Sequence, residues 1–256
     1  MKEYSVSVRY YDILYDGDYV GDEEFWRTIA GDGKGPILEL GSGTGRVTFL
    51  LAKHGHEVTG LDSSEVMLAR ARGKLATQSP EVKARVLLLK GDMTDFTFEN
   101  RFGLIIIPFR AFQHLLTPER QAACLTRVRQ HLLEGGKFVV TMFNPDLRLI
   151  VRNEDRYLVW ESERVELETG STVIRSVRNR YDTAEQVVRG LFIYQKIDKE
   201  GTLVSTEYEP FALRWTWRWE MEYLLRLCGF RVEAVYGNYH RVPYPEAAKE
   251  LIFVCS

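Results

Sequence analysis

The sequence has few cysteines and no long apolar run. Its three cysteines, Cys124, Cys228 and Cys255, are far apart and form no C-x-x-C pair, so their spacing predicts neither a disulfide framework nor a metal site. No apolar stretch approaches the roughly 18 residues that a membrane-spanning helix needs, and the first residues carry no apolar core of signal-peptide length. We therefore expect a cytoplasmic protein that does not insert into a membrane.

The sequence also lacks an excess of charge of either sign. Its 34 lysines and arginines nearly balance its 36 aspartates and glutamates, which gives a formal net charge of −2. Because a surface that binds nucleic acid must neutralise phosphates, this balance argues against nucleic acid as a partner. The 256 residues, of which 45% are hydrophobic, suffice for one large globular domain with room for an insertion.

Short apolar runs alternate with helical patterns from residue 36 to residue 150. Strands are predicted at Ile37–Leu40, Glu57–Leu61, Arg85–Leu89, Leu104–Ile107 and Lys137–Phe143. Helices are predicted at Arg46–Lys53, Ser64–Ala76 and Thr117–Leu133. Alternation of this kind predicts an α/β domain with a doubly wound, mostly parallel sheet.

A different pattern occupies residues 151–216. Turn signals at Thr169-Gly170, Asp182-Thr183 and Asp198–Gly201 separate long polar–apolar segments, which predicts an inserted antiparallel meander of four strands. The strand-and-helix pattern then resumes over residues 217–256. Its elements are predicted to be a helix at Trp217–Cys228 and strands at Phe230–Tyr236 and Leu251–Cys255.

A glycine turn follows the first predicted strand. Ile37–Leu40 leads into Gly41-Ser42-Gly43-Thr44-Gly45, and a helical pattern begins at Arg46. Glycines let the backbone approach a ligand closely or adopt a positive φ without a Cβ clash, and the free N–H groups at the start of the helix point into the same crevice. The turn therefore predicts a site for a nucleoside-type cofactor.

Carboxylates stand at the ends of the next two predicted strands. Asp62 ends the second, where an acid can accept hydrogen bonds from both ribose hydroxyls. Asp92 ends the third, where it could accept from an adenine amine while the Met93 amide donates to a ring nitrogen. Asp62 alone could instead cap the helix at Ser64, and Asp92 alone could close a turn. Three matching strand ends in chain order favour a cofactor site.

Together these motifs resemble those of the class I S-adenosylmethionine-dependent methyltransferases. The resemblance covers residues 37–143 and the later helix and strand at 217–236. It implies a Rossmann-like, seven-stranded sheet with an antiparallel last strand, and S-adenosylmethionine as the cofactor. A nicotinamide dehydrogenase is the competing interpretation, but its Gly-x-Gly-x-x-Gly fingerprint would place the third glycine one residue beyond Gly45.

The resemblance also implies roles for the motif residues. The glycine turn would flank the methionine part of the cofactor, Glu39 would help to hold its amino group, Asp62 would bind the ribose, and Asp92 with Met93 would bind the adenine. The expected cofactor-binding residues are Tyr11, Tyr15, Glu39, Gly41, Ser42, Gly43, Gly45, Arg46, Asp62, Ser63, Asp92, Met93 and Phe109.

His114 is the candidate general base. It follows the fourth predicted strand, in the segment that forms the floor of the substrate site in this family. The ordinary pKa of an imidazole suits proton removal near neutral pH, although His114 could simply hydrogen-bond the loop before Thr117. This segment lacks the Asn/Asp-Pro-Pro-aromatic turn of enzymes that methylate bases or glutamine, so those substrates are disfavoured. His240, after the sixth predicted strand, is a second histidine that could reach the pocket.

Residues 1–35 resemble the helical lid of small-molecule methyltransferases. Tyr10–Tyr15 is similar to the Tyr-Asp-x-x-Tyr segment that folds over the cofactor in those enzymes. Tyr11 and Tyr15 would gain from cation–π attraction to a sulfonium, and Tyr11 is the second candidate catalytic residue. The alternative is an amphipathic helix that packs its tyrosines on the sheet.

The insertion at residues 151–216 would roof the pocket or build a homodimer interface, as similar insertions do in this family. Arg175, Arg178 and Arg180 lie along one predicted strand, and we expect them to share a face that meets an anionic substrate or pairs with surface glutamates. The predicted reaction is in-line methyl transfer to N or O of a small-molecule acceptor. The alternatives are a cofactor-binding regulatory partner without catalysis, and an RNA methyltransferase.

Overall fold

The computed structural model describes residues 4–15, 21–33, 35–152, 158–166, 169–244 and 248–256. Its main sheet contains β1 Ile37–Leu40, β2 Val58–Asp62, β3 Val86–Lys90, β4 Phe102–Ile107, β5 Leu132–Phe143, β10 Val232–Tyr236 and β11 Glu250–Cys255. Their spatial order is β10-β11-β5-β4-β1-β2-β3. Neighbouring strands are parallel except at β11, which runs antiparallel to β5 and β10. The predicted doubly wound, seven-stranded sheet is therefore confirmed.

The described helices connect these strands or flank them. They are α1 Ser7–Leu14, α2 Glu23–Gly31, α3 Arg46–Lys53, α4 Glu65–Ala76, α5 Pro80–Arg85, α6 Pro118–His131, α7 Leu147–Arg152 and α8 Arg218–Leu227. Helix α6 begins with Pro118 as its first helical residue. The Thr117 hydroxyl accepts from the Arg120 amide, which satisfies a free donor at the helix start. In the described part of the chain, no helix is long and apolar enough to cross a lipid bilayer.

The central strands are apolar because helices cover both faces of the sheet. All six residues of β4 are buried. Ile105 belongs to one core with Leu125 of α6, and Ile106 belongs to a second core with Trp26 of α2. Successive strand residues point to opposite faces, so one continuous apolar run supplies both cores.

The boundary between α6 and β5 differs from the prediction. The helix ends at His131 rather than near Leu133, and β5 begins at once at Leu132, which pairs with Phe102. The ladder is then interrupted and resumes where Leu104 pairs with Lys137. Gly135, with φ of +72°, provides the left-handed residue that this irregularity needs. Gly135 therefore lies inside β5 and does not end α6.

The inserted meander is confirmed as a second sheet. It consists of β6 Leu158–Val165, β7 Thr172–Asp182, β8 Val187–Ile197 and β9 Leu203–Arg214. These strands pair in chain order, β6-β7-β8-β9, and every pairing is antiparallel. The inserted sheet follows β5 and precedes α8 in the sequence. Helix α1 packs against it, with Tyr10 and Leu14 of the helix contacting Val173 and Tyr194 of the sheet.

Gly190 allows the middle of the inserted sheet to pack closely. It pairs with Asn179 on β7 and Phe211 on β9. A Cβ atom at this position would lie 2.2 Å from the Phe211 ring and 2.6 Å from the Asn179 side-chain oxygen. The absence of a side chain therefore leaves the space that both neighbours occupy.

We predict that Gly190→Ala lowers the free energy of unfolding by about 1–3 kcal/mol, because the new methyl forces Phe211 and Asn179 to move. Urea denaturation measures this. The control is Gly73→Ala in α4, where a Cβ meets nothing within 4 Å; there the helix should gain about 0.5–1 kcal/mol. An unchanged stability in Gly190→Ala would contradict the packing described.

Candidate active site

One cavity of about 650 Å³ opens at the carboxyl edge of the main sheet. The sheet edge and its loops form one side, and α1 with the inserted sheet forms the other. The predicted residues that line this cavity are Tyr11, Tyr15, Glu39, Gly41, Ser42, Gly43, Arg46, Asp62, Ser63, Asp92, Met93, Phe109 and His114. Thirteen of the fourteen predicted site residues therefore lie at one cavity, while the role of each residue stays a prediction.

Gly45 does not line the cavity; it stands at the start of α3 and lets the chain turn there. It precedes α3 with φ of +83°, and a Cβ there would lie 2.6 Å from the Phe49 ring. Gly41 is equally constrained at the cavity surface, since its φ is +74° and a Cβ would lie 2.4 Å from that of Ala111. The turn after β1 thus needs glycine both for its left-handed backbone and for its close approach to the loop after β4.

Asp62 fastens the glycine turn to the end of β2. One carboxylate oxygen accepts from the Gly43 amide at 2.7 Å, and the other accepts from the Ser64 amide at 2.7 Å. Burial raises the pKa of Asp62, against the lowering effect of these two hydrogen bonds. The N-cap of α4 is Ser64, whose hydroxyl accepts from the Met67 amide, so Asp62 is not the helix cap.

Asp92 both lines the cavity and closes a turn. Its carboxylate accepts from the amide and hydroxyl of Thr94, each at 2.8 Å, and pairs with Arg120 at 2.8 Å. Burial opposes ionisation, but these contacts outweigh it and lower the pKa of Asp92. Asp92 therefore closes a turn and also lines the cavity, while its contact with an adenine stays a prediction.

Glu39 is the most deeply buried acid of the site. Its side chain is 2% exposed, and its carboxylate accepts a short hydrogen bond from the Thr48 hydroxyl. Desolvation raises the pKa of Glu39 to about 8, although Thr48 and Arg46 act in the opposite direction. Such a group is ready to receive a cation, because a positive charge beside it would favour its ionised form.

Arg46 is held by Asp22, a residue that the sequence did not single out. Two parallel hydrogen bonds of 2.5 and 2.7 Å join the guanidinium to the carboxylate. Asp22 is fully buried and also accepts from the Trp26 indole at 2.8 Å. A bidentate pair of this kind fixes the orientation of the arginine at the cavity wall.

His114 has a different acidity from the one expected. His114 is exposed and lines the cavity, and desolvation lowers its pKa to about 4. This pKa lies below the near-neutral value on which the general-base prediction rests, and a catalytic role for His114 stays a prediction. Tyr4 contacts the ring edge-on and its hydroxyl lies 2.7 Å from Nε2. Because His114 is neutral at physiological pH, Nε2 can accept this hydrogen bond.

The sequence offered His240 as a second histidine that could reach the pocket, and the structure does not place it there. It is exposed and does not line the cavity.

The tyrosines of α1 form an aromatic wall above the sheet edge. The rings of Tyr11 and Tyr15 lie 4.8 Å apart, and Tyr15 meets Phe109 edge-on at 5.1 Å. Burial raises the pKa of Tyr11, which therefore remains a neutral phenol. The two rings pack together and also line the cavity, and their contact with a cofactor stays a prediction.

Asp12 ties α1 to the core. Its carboxylate accepts from the Thr44 hydroxyl at 2.7 Å, from Lys74 at 2.7 Å and from Arg70 at 3.0 Å. Burial alone would raise the pKa of Asp12, but the hydrogen bonds of Lys74, Thr44 and Arg70 lower it. The sequence contained the residue in its Tyr-Asp-x-x-Tyr segment but gave no sign of its three partners.

Glu209 holds the other end of the same helix. Its two carboxylate oxygens accept from the amides of Val6 and Ser7, at 2.9 and 3.0 Å. The side chain is 5% exposed and lines the cavity. A negative charge at a helix start also complements the helix dipole.

The three arginines of β7 do not share a face, contrary to expectation. Arg175 is buried, whereas Arg178 and Arg180 are exposed. Arg175 points inward because its position differs from theirs by an odd number of residues. Its guanidinium lies 4.6 Å from the centre of the Tyr15 ring and donates to the Tyr15 hydroxyl.

Comparison with known proteins supports this geometry. Residues 37–136 match the family model of the methyltransferase domain. The cypemycin N-terminal methyltransferase of a Streptomyces species is 26% identical over 218 residues, which cover 85% of this chain and 81% of that protein. Two solved structures share the fold. The CcbJ methyltransferase of Streptomyces caelestis has a TM-score of 0.78 at 24% identity, covering 97% and 95% of the two chains. The sugar N-methyltransferase KedS8 of a Streptoalloteichus species has a TM-score of 0.66 at 20% identity, covering 93% and 86%.

The strand order, the antiparallel β11 and the glycine turn at the cavity define a Rossmann-like fold for a nucleoside cofactor. With the match of residues 37–136 to the methyltransferase domain, the chain is identified as an S-adenosylmethionine-dependent methyltransferase, and S-adenosylmethionine is its cofactor.

We predict that Asp12→Asn loosens α1. The neutral amide loses two ionic partners at a site that is only 23% exposed, so the local free energy of opening should fall by about 1–2 kcal/mol. Hydrogen exchange of the α1 amides measures this, and exchange should become faster. Because the folded pKa of Asp12 is depressed, its contribution is present at neutral pH and is lost only as the pH falls below the ordinary value of 3.8.

The matched control for Asp12→Asn is Glu65→Gln in α4, which breaks an exposed pair with Arg72. Exposed pairs contribute about 0.5 kcal/mol or less, so α1 should exchange as in the wild type. Equal protection of α1 in the Asp12 and Glu65 variants would rule out the anchoring role.

Proposed function

We propose that this enzyme transfers the methyl group of S-adenosylmethionine to the nitrogen of a small-molecule amine in the cytoplasm. The observation that carries the proposal is the single cavity that joins the glycine turn to the inserted sheet beneath α1. An enclosed space of this size suits a small acceptor rather than a folded RNA. The choice of nitrogen is supported by the names of the similar proteins, an N-terminal methyltransferase and a sugar N-methyltransferase.

The cavity wall fits the cofactor on two observations. The buried Glu39, with its raised pKa, offers an acid for an amino group, and Gly41 has no space for a Cβ next to Ala111, so backbone alone faces the ligand there. We assign Glu39 to the amino group, Asp62 to the ribose, and Asp92 with Met93 to the adenine. When bound, the cofactor supplies an electrophilic methyl group on a sulfonium.

The remaining contribution of the protein is alignment and exclusion of water. Methyl transfer is an in-line displacement, for which correct positioning lowers the barrier by several kcal/mol. Tyr11, Tyr15 and Phe109 would shield the reacting end, because their rings pack over the sheet edge. Neutral aromatic faces also tolerate a sulfonium.

We propose that His114 orients the acceptor and does not serve as a strong base. Its pKa of about 4 leaves it neutral, and Tyr4 shares its Nε2. A protonated amine would therefore lose its proton to water before the transfer, while Tyr4 and His114 hold the neutral nitrogen at the cavity mouth.

When each amine is compared with the corresponding alcohol, only the amine should be methylated. We predict that the protein with S-adenosylmethionine methylates members of an amine panel, and that the corresponding alcohols and bulk tRNA stay unmodified; mass spectrometry of the products measures this. Methylation of alcohols or tRNA would overturn the nitrogen assignment. Tight cofactor binding without turnover across the panel would favour a regulatory, non-catalytic partner.

The assignment of Asp62 to the cofactor is tested separately, by calorimetry on two variants. Asp62→Ala should weaken cofactor binding at least about tenfold, because it removes an acceptor for two hydroxyls. Asp95→Ala is the matched control, since Asp95 is exposed, pairs with Arg127 and does not line the cavity. Calorimetry distinguishes the two variants, and full binding by Asp62→Ala would refute the site assignment.

We predict that cofactor binding at pH 7 releases a proton from Glu39. The free site holds this proton because the folded pKa is about 8, and the arriving ammonium lowers that pKa. Affinity should therefore rise with pH up to about 8 and level off above it. Calorimetry in buffers of different ionisation enthalpy measures the release.

Glu39→Gln separates this effect from other titrations. The variant should bind more weakly and release no proton. The same linkage lowers stability as the pH rises from 4.5 to about 8, because the folded state retains a proton that the unfolded state has lost. Proton release that persists in Glu39→Gln would contradict the assignment.

A further inference from the structure

The inserted sheet presents one defined face to the cavity. Side chains alternate along each strand, and the residues of this face that line the cavity include Asn179 on β7, Val188 and Phe192 on β8, and Phe211 and Leu213 on β9. We call this set the acceptor wall. It faces the same space as the cofactor residues at the sheet edge.

Apart from Asn179, the acceptor wall is apolar and aromatic. Phe192 and Phe211 stack at 4.1 Å with an angle of 18° between their rings. Val188 and Leu213 continue the surface and pack with Trp215 and Ile150 in one cluster. Flat rings and branched chains of this kind bind the body of a ligand mainly through apolar contact.

The cavity offers no free cation within the part of the chain that the structure describes. The cationic side chains that line it there are Arg46, Arg110 and Arg120. Arg46 pairs with Asp22 at 2.5 Å and Arg120 with Asp92 at 2.8 Å. Arg110 lies 3.7 Å from Glu250 and 4.7 Å from the centre of the Phe109 ring. Each of these positive charges already has a carboxylate partner.

The arginines of β7 add no cationic side chain to the described lining of the cavity. Arg175 is 3% exposed and is enclosed between Tyr15 and Phe192, at 4.6 and 5.3 Å from their ring centres. Arg178 and Arg180 lie on the opposite face of the sheet. The charged residue that lines the cavity from β9 is instead Glu209. A phosphate or carboxylate that enters here would lose its hydration and would meet no unpaired cationic side chain among the described residues that line the cavity.

We propose that the acceptor is an amine on an apolar, ring-shaped body that carries neither phosphate nor carboxylate. This proposal rests on the proposed N-methyl transfer and narrows its substrate class. An amine is compatible with the aromatic faces and with the carboxylate of Glu209, whereas a nucleotide-linked amine is excluded by the paired charges. The acceptor would thus differ in chemistry from a nucleotide sugar, although a sugar N-methyltransferase shares the fold.

Matched probes test this class. The protein is loaded with S-adenosylhomocysteine and titrated with 4-phenylpiperidine, with 4-phenylpiperidine-4-carboxylate and with UDP-glucosamine. The first should bind at least about a hundredfold more tightly than either anion, because an unpaired buried charge is strongly disfavoured. With S-adenosylmethionine, only the first should yield a methylated product.

Variants on opposite faces of the sheet give the control. Phe211→Ala should weaken 4-phenylpiperidine binding about tenfold through the lost ring contact. Leu191→Ala, on β8 but pointing away from the cavity, should bind as the wild type does. Both variants should bind S-adenosylhomocysteine normally, which shows that the fold and the cofactor site are intact.

Two results would overturn the proposal. One is binding of either anion as tight as that of 4-phenylpiperidine; the other is failure of 4-phenylpiperidine to bind while S-adenosylhomocysteine binds normally. Both leave the methyltransferase assignment standing. Loss of S-adenosylhomocysteine binding in the wild type would instead refute the proposed function itself.

Discussion

Two buried carboxylates hold α1 in place, and the enclosure of the cavity depends on them. Glu209 accepts from the amides at the start of the helix, where a negative charge complements the helix dipole. Asp12 lies in the last turn, where a negative charge is unfavourable, but Lys74 and Arg70 compensate it. One carboxylate belongs to the inserted sheet and the other reaches the glycine turn through Thr44. The helix therefore links the two sheets, and its aromatic side chains form the wall between them.

Desolvation gives this cavity its chemical character. It raises the pKa of Glu39 and lowers that of His114, so burial favours the neutral form of both groups. The arginines of the wall keep their charge because each has a carboxylate beside it. The described lining thus combines groups that burial keeps neutral, arginines that each pair with a carboxylate, and the carboxylates of Asp62 and Glu209. On the proposed function, a positively charged ligand beside Glu39 would restore the ionised form of that residue.

Local patterns predicted most of the fold and much of the site. The glycine turn, Asp62 and Asp92 were found because strand ends and turn residues are signalled within a few neighbouring positions. The partners of Asp12 and Glu209 were not, since they are distant in sequence and depend on tertiary packing. The lowered pKa of His114 was not foreseen for the same reason, because desolvation depends on segments that are distant in sequence. The error at Arg175 was avoidable, as the parity of a strand position already places it opposite Arg178.

The inserted sheet is part of the site and not an appendage to it. Gly190 lets Phe211 and Asn179 lie close to the strand between them, and Phe211 then stacks on Phe192 at the cavity surface. The same strands carry Arg175, which packs on Tyr15 of α1. Packing inside the insertion therefore determines both the shape of the acceptor wall and the position of the helix above the cofactor residues. Changes that move Phe211 or Arg175 should therefore alter the acceptor wall and the position of α1 even where they touch no ligand.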